Sequence, residues 1–289
     1  MFQNKGQSSP KETIFQATQN QYDQVASFLN QDLRIHRHLD WFYILDWLDT
    51  HAFLIALKDE QIRALLCVTN ENHNTAWIRA FAVKKTLRYK DYWDRLLEWA
   101  MTDLKRNGTH RIASLSLHKW YGGLLENSGF NNRQKIIVLS WQGDFPPCGK
   151  INDEIELELM KIDDLPQIAA VDQHAFPHLW QNSLMGLTKA FNQTGISTVA
   201  RVNGQIVGYQ ISTVMTIYGH LARLAVHPSY QRQGIAYTLV YDLLKRFEER
   251  GLFRVTVNTQ SDNTASLMLY DQFGFTRTGE DIPVYEIIL

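Results

Sequence analysis

Short apolar runs, each broken by a polar turn, set the rhythm of the chain. Phe53-Leu-Ile-Ala-Leu-Lys-Asp-Glu-Gln-Ile62 reads as a strand, a turn and the start of a second strand. Thr198-Val-Ala-Arg-Val-Asn-Gly-Gln-Ile-Val-Gly-Tyr209 reads the same way, with Asn203-Gly204 as a strong hairpin signal. Gln61 and Gln205 stand 144 positions apart. Phe81-Ala-Val83 is then echoed by Leu224-Ala-Val226, and an apolar period of helical spacing follows each. Trp93, Leu96, Leu97, Ala100, Met101 and Leu104 share one predicted helix face; Ile235, Leu239, Val240, Leu243, Leu244 and Phe247 share another. Gly108 and Gly251 stand where those helices should stop, and each half closes on Gly-Phe, at Gly129-Phe130 and Gly274-Phe275. The repeat predicts two copies of one α/β unit. Gly143-Asp-Phe-Pro-Pro-Cys-Gly-Lys-Ile-Asn152 has linker chemistry and puts the boundary near residue 148.

A chain of 289 residues suits two domains, and 45% hydrophobic with 20% charged residues is ordinary for a globular protein with real cores. The 29 basic and 30 acidic residues leave a charge of −1, without the basic excess that a nucleic-acid or anionic-membrane partner would require. Cys67 and Cys148 are too few for a disulfide framework, which suits a reducing home. Met1 to Lys11 lack an apolar signal core, and no apolar run approaches the ~18 residues of a membrane span. A soluble, cytoplasmic protein is expected.

Candidate chemistry concentrates in the second half. Gly219-His-Leu-Ala-Arg-Leu-Ala-Val-His-Pro228 predicts a buried strand that stops where Pro228 cannot donate to a ladder. Ser229-Tyr-Gln-Arg-Gln-Gly-Ile-Ala236 then runs into the amphipathic helix. A strand, a loop with one glycine and a helix N-terminus make an anion site, although a plain helix start would use the same residues. Asn263-Thr-Ala-Ser-Leu-Met-Leu-Tyr-Asp-Gln-Phe-Gly-Phe275 follows a predicted strand over 253–259.

Together these two segments resemble the GNAT superfamily of acetyl-coenzyme A-dependent N-acetyltransferases. The family's phosphate-loop pattern is met at Gln231, Gly234 and Ala236, and its later pattern at Asn263, Ala265, Tyr270, Gly274 and Phe275. The resemblance covers residues 155–289 well and the first half through its strand and helix pattern. It implies an α/β (α+β) fold of two tandem GNAT-like domains, each a mixed, mostly antiparallel twisted sheet flanked by helices. Residues 1–148 would form a degenerate domain without a phosphate loop, and 149–289 the catalytic one. Within the superfamily, Tyr230-Gln-Arg-Gln-Gly-Ile235 and Leu269-Tyr270 are similar to bacterial ribosomal-protein alanine N-acetyltransferases, as is Ala175-Phe-Pro-His-Leu-Trp180 on the acceptor side. Those enzymes carry a glutamate base on the fifth strand, where this chain has Asn258.

The resemblance also implies roles. Backbone N–H groups from Arg232 through Gln233, Gly234, Ile235 and Ala236 to Tyr237, with Gln231 leading in, would hold the pyrophosphate of acetyl-CoA. Leu224-Ala225-Val226 would pair with the pantetheine arm, and the Val226 N–H would polarise the thioester carbonyl. Asn263 and Ser266 would position that arm, with a helix cap as Asn263's plainer role. Tyr270 would be the general acid, its plainer reading being a core tyrosine. For the base, strand alternation puts residues 220, 222, 224 and 226 on one face, making His220 a candidate and a solvent-facing histidine the alternative. At pH 7 a lysine amine of pKa ~10.4 is free roughly four times in ten thousand, an α-amine near ~7.8 more than a tenth of the time. A site without a carboxylate base therefore favours a peptide N-terminus or a small amine. In the first half, Lys84-Lys-Thr-Leu-Arg-Tyr-Lys-Asp-Tyr92 has no glycine and Leu125 replaces the tyrosine. His36 with His38, and His174 with His178, lack the further ligands of a metal site. The competing readings are a non-catalytic acyl-CoA-binding regulatory protein and an interaction module. Retention of both Gly234 and Tyr270 favours the enzyme.

Overall fold

A computed structural model describes residues 12–50, 52–72, 74–143, 152 and 154–289. The first half runs β1 (Thr13–Gln16), α1 (Tyr22–Leu29), β2 (Leu33–Arg37), β3 (Phe53–Lys58), β4 (Gln61–Asn72), β5 (Thr75–Lys84), α2 (Tyr89–Arg106), β6 (Arg111–Leu115) and α3 (Lys119–Asn127). β7 (Asn131–Gln142) precedes the second: β8 (Glu156–Leu159), α4 (Leu165–Ala175), α5 (Leu184–Asn192), β9 (Ile196–Val202), β10 (Gln205–Met215), β11 (Tyr218–Val226), α6 (Ile235–Glu249), β12 (Arg254–Gln260), α7 (Thr264–Gln272) and β13 (Thr276–Ile288). Both halves mix helices with a twisted, mostly antiparallel sheet, and from β3 and β9 onward the order of elements repeats as the sequence predicts, while β2 stands where the second half has α5.

The chain divides into two compact units, Met1–Arg133 with Pro283–Leu289, and Gln134–Ile282. The boundary expected near residue 148 lies outside the described residues. In unit 1 the strand order is β1-β3-β4-β5-β6, and the end of β13 pairs antiparallel with β6, from Val284↔Leu115 to Ile288↔Arg111. In unit 2 the order is β8-β9-β10-β11-β12, and β7 pairs antiparallel with β12, from Arg254↔Gln142 to Gln260↔Ile136. Each unit holds one parallel pair, β5 with β6 and β11 with β12.

The predicted helix faces are the buried ones. α6 buries Ile235, Leu239, Val240, Leu243, Leu244 and Phe247, each such side chain stabilising by about 1.5–3 kcal/mol relative to exposure. Phe247 packs so closely on β11 that a Cβ at Gly219 would sit 2.4 Å from its ring. α2 buries Trp93, Leu96, Leu97, Ala100 and Leu104, with Met101 half-buried. Among the described residues no helix is long and apolar enough to cross a membrane.

Candidate active site

β11 loses a neighbour halfway along. One edge pairs with β10 to Val226, while the other pairs with β12 only from Tyr218↔Arg254 to Leu221↔Val257. β12 continues against β7 to Gln260. The reason is a bulge: Ile211 faces Arg223 and Ser212 faces Leu221, so Ala222 has no opposite residue. A bulge bends and twists its strand, and here the two parallel strands part. Along that edge Leu224, Ala225 and Val226 have no strand partner among the described residues.

The loop that follows is fixed to the end of β11 and to its neighbour β10. The His227 N–H donates to the Val207 carbonyl at 2.8 Å, and Gln231 Nε2 donates to the Val226 carbonyl at 3.2 Å. Asn152 Nδ2 donates to the Gln233 carbonyl at 3.2 Å. Arg232 at φ 61° and Gly234 at φ 84° are both left-handed, a conformation glycine adopts without steric cost. Gly234 is the N-cap of α6, which has no side-chain cap and no acidic residue in its first turn. The first helical bond runs from the Thr238 N–H to the Gly234 carbonyl at 2.9 Å. The N–H groups of Ile235, Ala236 and Tyr237 therefore emerge at the positive end of the helix dipole. A Cβ on Gly234 would meet nothing nearer than Asn152 Cβ at 3.9 Å, so the approach is open. The loop fits an anionic phosphate group, and the open edge beside it fits an extended amide chain.

Tyr270 and His220 flank this edge from opposite sides of the sheet. Gly219 and Leu221 pack toward α6, as do Leu224 and Val226. His220 must then face the other way, with Arg223 and Ala225. The alternation that put His220 on the face of residues 224 and 226 fails here, because the extra residue Ala222 reverses the phase. His220 Nδ1 lies 2.8 Å from Thr256 Oγ1, and burial lowers its pKa against a backbone hydrogen bond at Thr256 that raises it. The lowered pKa favours the neutral ring at pH 7. Tyr270 lies on the α6 side, buried against Phe275, and burial pushes its hydroxyl pKa up. Its hydroxyl therefore keeps its proton at neutral pH. Asn263 caps α7, its side-chain oxygen accepting the Ser266 N–H at 3.1 Å. Asn258 is exposed on β12, opposite Val138.

One constellation escaped the sequence reading. Asp172 on α4 is fully buried and takes hydrogen bonds from Arg223 Nε at 2.8 Å, the Asn182 N–H at 2.8 Å and the Tyr209 hydroxyl. Arg223 also donates to the Trp180 carbonyl at 2.7 Å, and its guanidinium lies 3.5 Å from the Phe176 ring centre. The group pins residues 176–182 to the open part of β11, on the His220 side. The signal was available: Arg223 is the one charge in an otherwise apolar strand end, and Asp172 follows Ala169-Ala-Val171 on a buried helix face.

The model of the acetyltransferase (GNAT) family matches residues 21–121 and 165–275, more than half of the chain. The alanine N-acetyltransferase of ribosomal protein bS18 from Escherichia coli K12 is 29% identical over 114 residues, which are 39% of this chain and 74% of that protein. A tandem GNAT protein from the clavulanic acid biosynthesis pathway superposes with a TM-score of 0.65 at 10% identity, covering 96% of this chain and 98% of that one. A GNAT-family acetyltransferase from Colwellia psychrerythraea superposes with a TM-score of 0.58 at 12% identity, covering 96% and 100%.

Proposed function

The chain belongs to the GNAT acetyltransferase family, and on that premise we propose that unit 2 moves an acetyl group from acetyl-CoA to a primary amine, with Tyr270 as general acid. The observation that carries the reading is one juxtaposition. The strand edge left open beyond Leu221 meets the uncapped, Gly234-led start of α6.

Acetyl-CoA supplies an acyl group already activated as a thioester. The N–H groups of Ile235, Ala236 and Tyr237, with the Arg232 charge, bind its pyrophosphate. The edge of Leu224 and Ala225 orients the pantetheine arm as an added strand, and the Val226 N–H donates to the thioester carbonyl as negative charge develops there. Tyr270 gives its hydroxyl proton to the departing sulfur; a phenol of pKa ~10 already holds that proton at neutral pH, and burial raises the pKa further. Asn263 fixes the start of α7, and through it the placement of Ser266 and Tyr270. His220, on the opposite face, accepts the proton that the attacking amine must lose, directly or through water.

A neutral imidazole of lowered pKa is a weak base and suits an acceptor already partly deprotonated at pH 7, such as a peptide α-amine. The relative named an alanine N-acetyltransferase of ribosomal protein bS18 supports that acceptor class over lysine. The test is acetyl-CoA consumption against a panel of peptides with free N-termini and of small amines. Turnover on at least one α-amine, lost in Gly234→Glu together with calorimetric binding of coenzyme A, is the expected result. A folded Gly234→Glu protein that binds coenzyme A normally would overturn the phosphate-loop assignment. Binding without turnover on any amine would replace the enzyme by a coenzyme A-binding regulator.

A further inference from the structure

Unit 1 repeats the architecture of the open edge and then closes it. In β5 the same bulge recurs: Cys67 faces Ala80 and Val68 faces Ile78, so Arg79 has no opposite residue. Phe81-Ala-Val83 corresponds to Leu224-Ala-Val226, and Arg79 to Ala222. β5 pairs with β6 only from Thr75↔Arg111 to Trp77↔Ala113, so here too the parallel strands part at the bulge. Beyond it, the β5 edge that would stand open is occupied by β2, antiparallel, from Arg37↔Ala80 to Leu33↔Lys84. Both edges of β5 are thereby paired over Ala80–Val83.

The fit of β2 extends past its backbone. His36 stands opposite Phe81, fully buried, with its ring 3.8 Å from that of Tyr121 and 11° from parallel. Tyr121 lies on α3, the counterpart of the helix that bears Tyr270 in unit 2. Its hydroxyl lies 2.8 Å from Ser114 Oγ on β6, so ring and hydroxyl bridge the gap between the parted strands. Both ends of β2 are tied. The His38 N–H donates to the Arg79 carbonyl at 2.8 Å, Asp40 pairs with Arg79 at 2.9 Å, and Asp32 pairs with Lys85. At the phosphate end, α2 begins after Arg88, whose φ of −76° gives no left-handed turn, and Lys84–Arg88 has no glycine.

We propose that β2 is a built-in occupant of the cofactor-arm slot of unit 1, an intramolecular strand lying where unit 2 lays the pantetheine arm. The inference rests on the cofactor reading of unit 2 and goes beyond it. Unit 1 is a closed lobe held shut by its own chain, and its loss of a phosphate loop is matched by a plug that makes the slot inaccessible.

Two measurements on the full chain test this. Calorimetric titration with acetyl-CoA should give one site per chain, and Gly234→Glu, checked for folding by circular dichroism, should weaken binding more than 100-fold with no second site remaining. Hydrogen exchange read by mass spectrometry should find Leu33–Arg37 slow in the free protein and unchanged at saturating acetyl-CoA, while residues 224–226 slow on binding. A second saturable site that survives Gly234→Glu, or faster exchange of β2 when acetyl-CoA is added, overturns the plug and leaves the unit 2 reading intact. A wild-type chain that binds no acetyl-CoA overturns the cofactor reading and the plug with it.

Discussion

On the proposed mechanism two side chains define what the site can do, and each yields to a single substitution. Tyr270→Phe removes one hydroxyl from a packed ring, so α7 should hold its place and coenzyme A affinity should stay within a few-fold. Turnover should fall by about 10²–10⁴, the usual worth of general acid catalysis, as read by steady-state kinetics on an acetylated peptide. On the proposed mechanism, His220 should set the acid limb of the pH–rate profile. Its folded pKa lies below 6.5, so the neutral form dominates at pH 7 and the rate should fall only as pH drops through that lowered value. His220→Gln should remove the limb and lower the plateau. His36 carries no chemistry but should leave a mark on stability. Burial drives its pKa to about 3. Between pH 6.5 and about 3 the unfolded chain therefore binds the proton that the folded chain refuses, and stability present above pH 6.5 is lost as pH falls through that window. Melting curves of wild type and His36→Leu should diverge most on the acid side, with the variant less sensitive to pH. Gly234 and Tyr270 were legible as residues because each sits at a fixed spacing from a strand or helix signal. The face of His220 was not, since alternation has no way to register one inserted residue.

At the scale of elements, the repeat of strand, hairpin and amphipathic helix was readable in the sequence because period and turn chemistry agree. Asn203-Gly204 adopts the two left-handed conformations its turn needs, and all six apolar positions assigned to α6 are buried. The bulges at Ala222 and Arg79 were not readable, and they decide where each parallel pair parts. β2 was missed for a related reason. Its sequence, Leu-Arg-Ile-His-Arg, has five residues and carries two arginines and a histidine, a weak strand pattern that pairing with β5 overrides. The Asp172–Arg223 pair invites a thermodynamic test. Removing one partner strands a buried charge, so Asp172→Asn or Arg223→Met alone should cost about 3–5 kcal/mol by denaturant unfolding. Asp172→Asn combined with Arg223→Met should cost much less than the sum of the two, and a fully additive pair would disprove the coupling.

The whole molecule is two units assembled with an exchange that no local pattern announces. Pairing between β6 and residues 284–288 joins positions 169 to 177 residues apart, so neither propensity nor period could predict it. A fragment of residues 1–143 keeps the first-half repeat and lacks this strand. It should show fast hydrogen exchange over Ile112–Leu115 and a lower melting temperature than unit 1 has in the full chain. Equal protection in the fragment would mean that the strand adds nothing to unit 1. The same feature puts a delay into biosynthesis. Residues 283–288 are made only after all of unit 2, about 150 residues later than Arg133. At ~5–20 residues per second, β6 waits roughly 8–30 s with a bare edge on each nascent chain. Such an edge is open to pairing with a neighbouring chain. Crowding of many such nascent chains on one message is therefore the point at which this protein is most exposed to aggregation, and slower initiation of translation should raise its soluble yield.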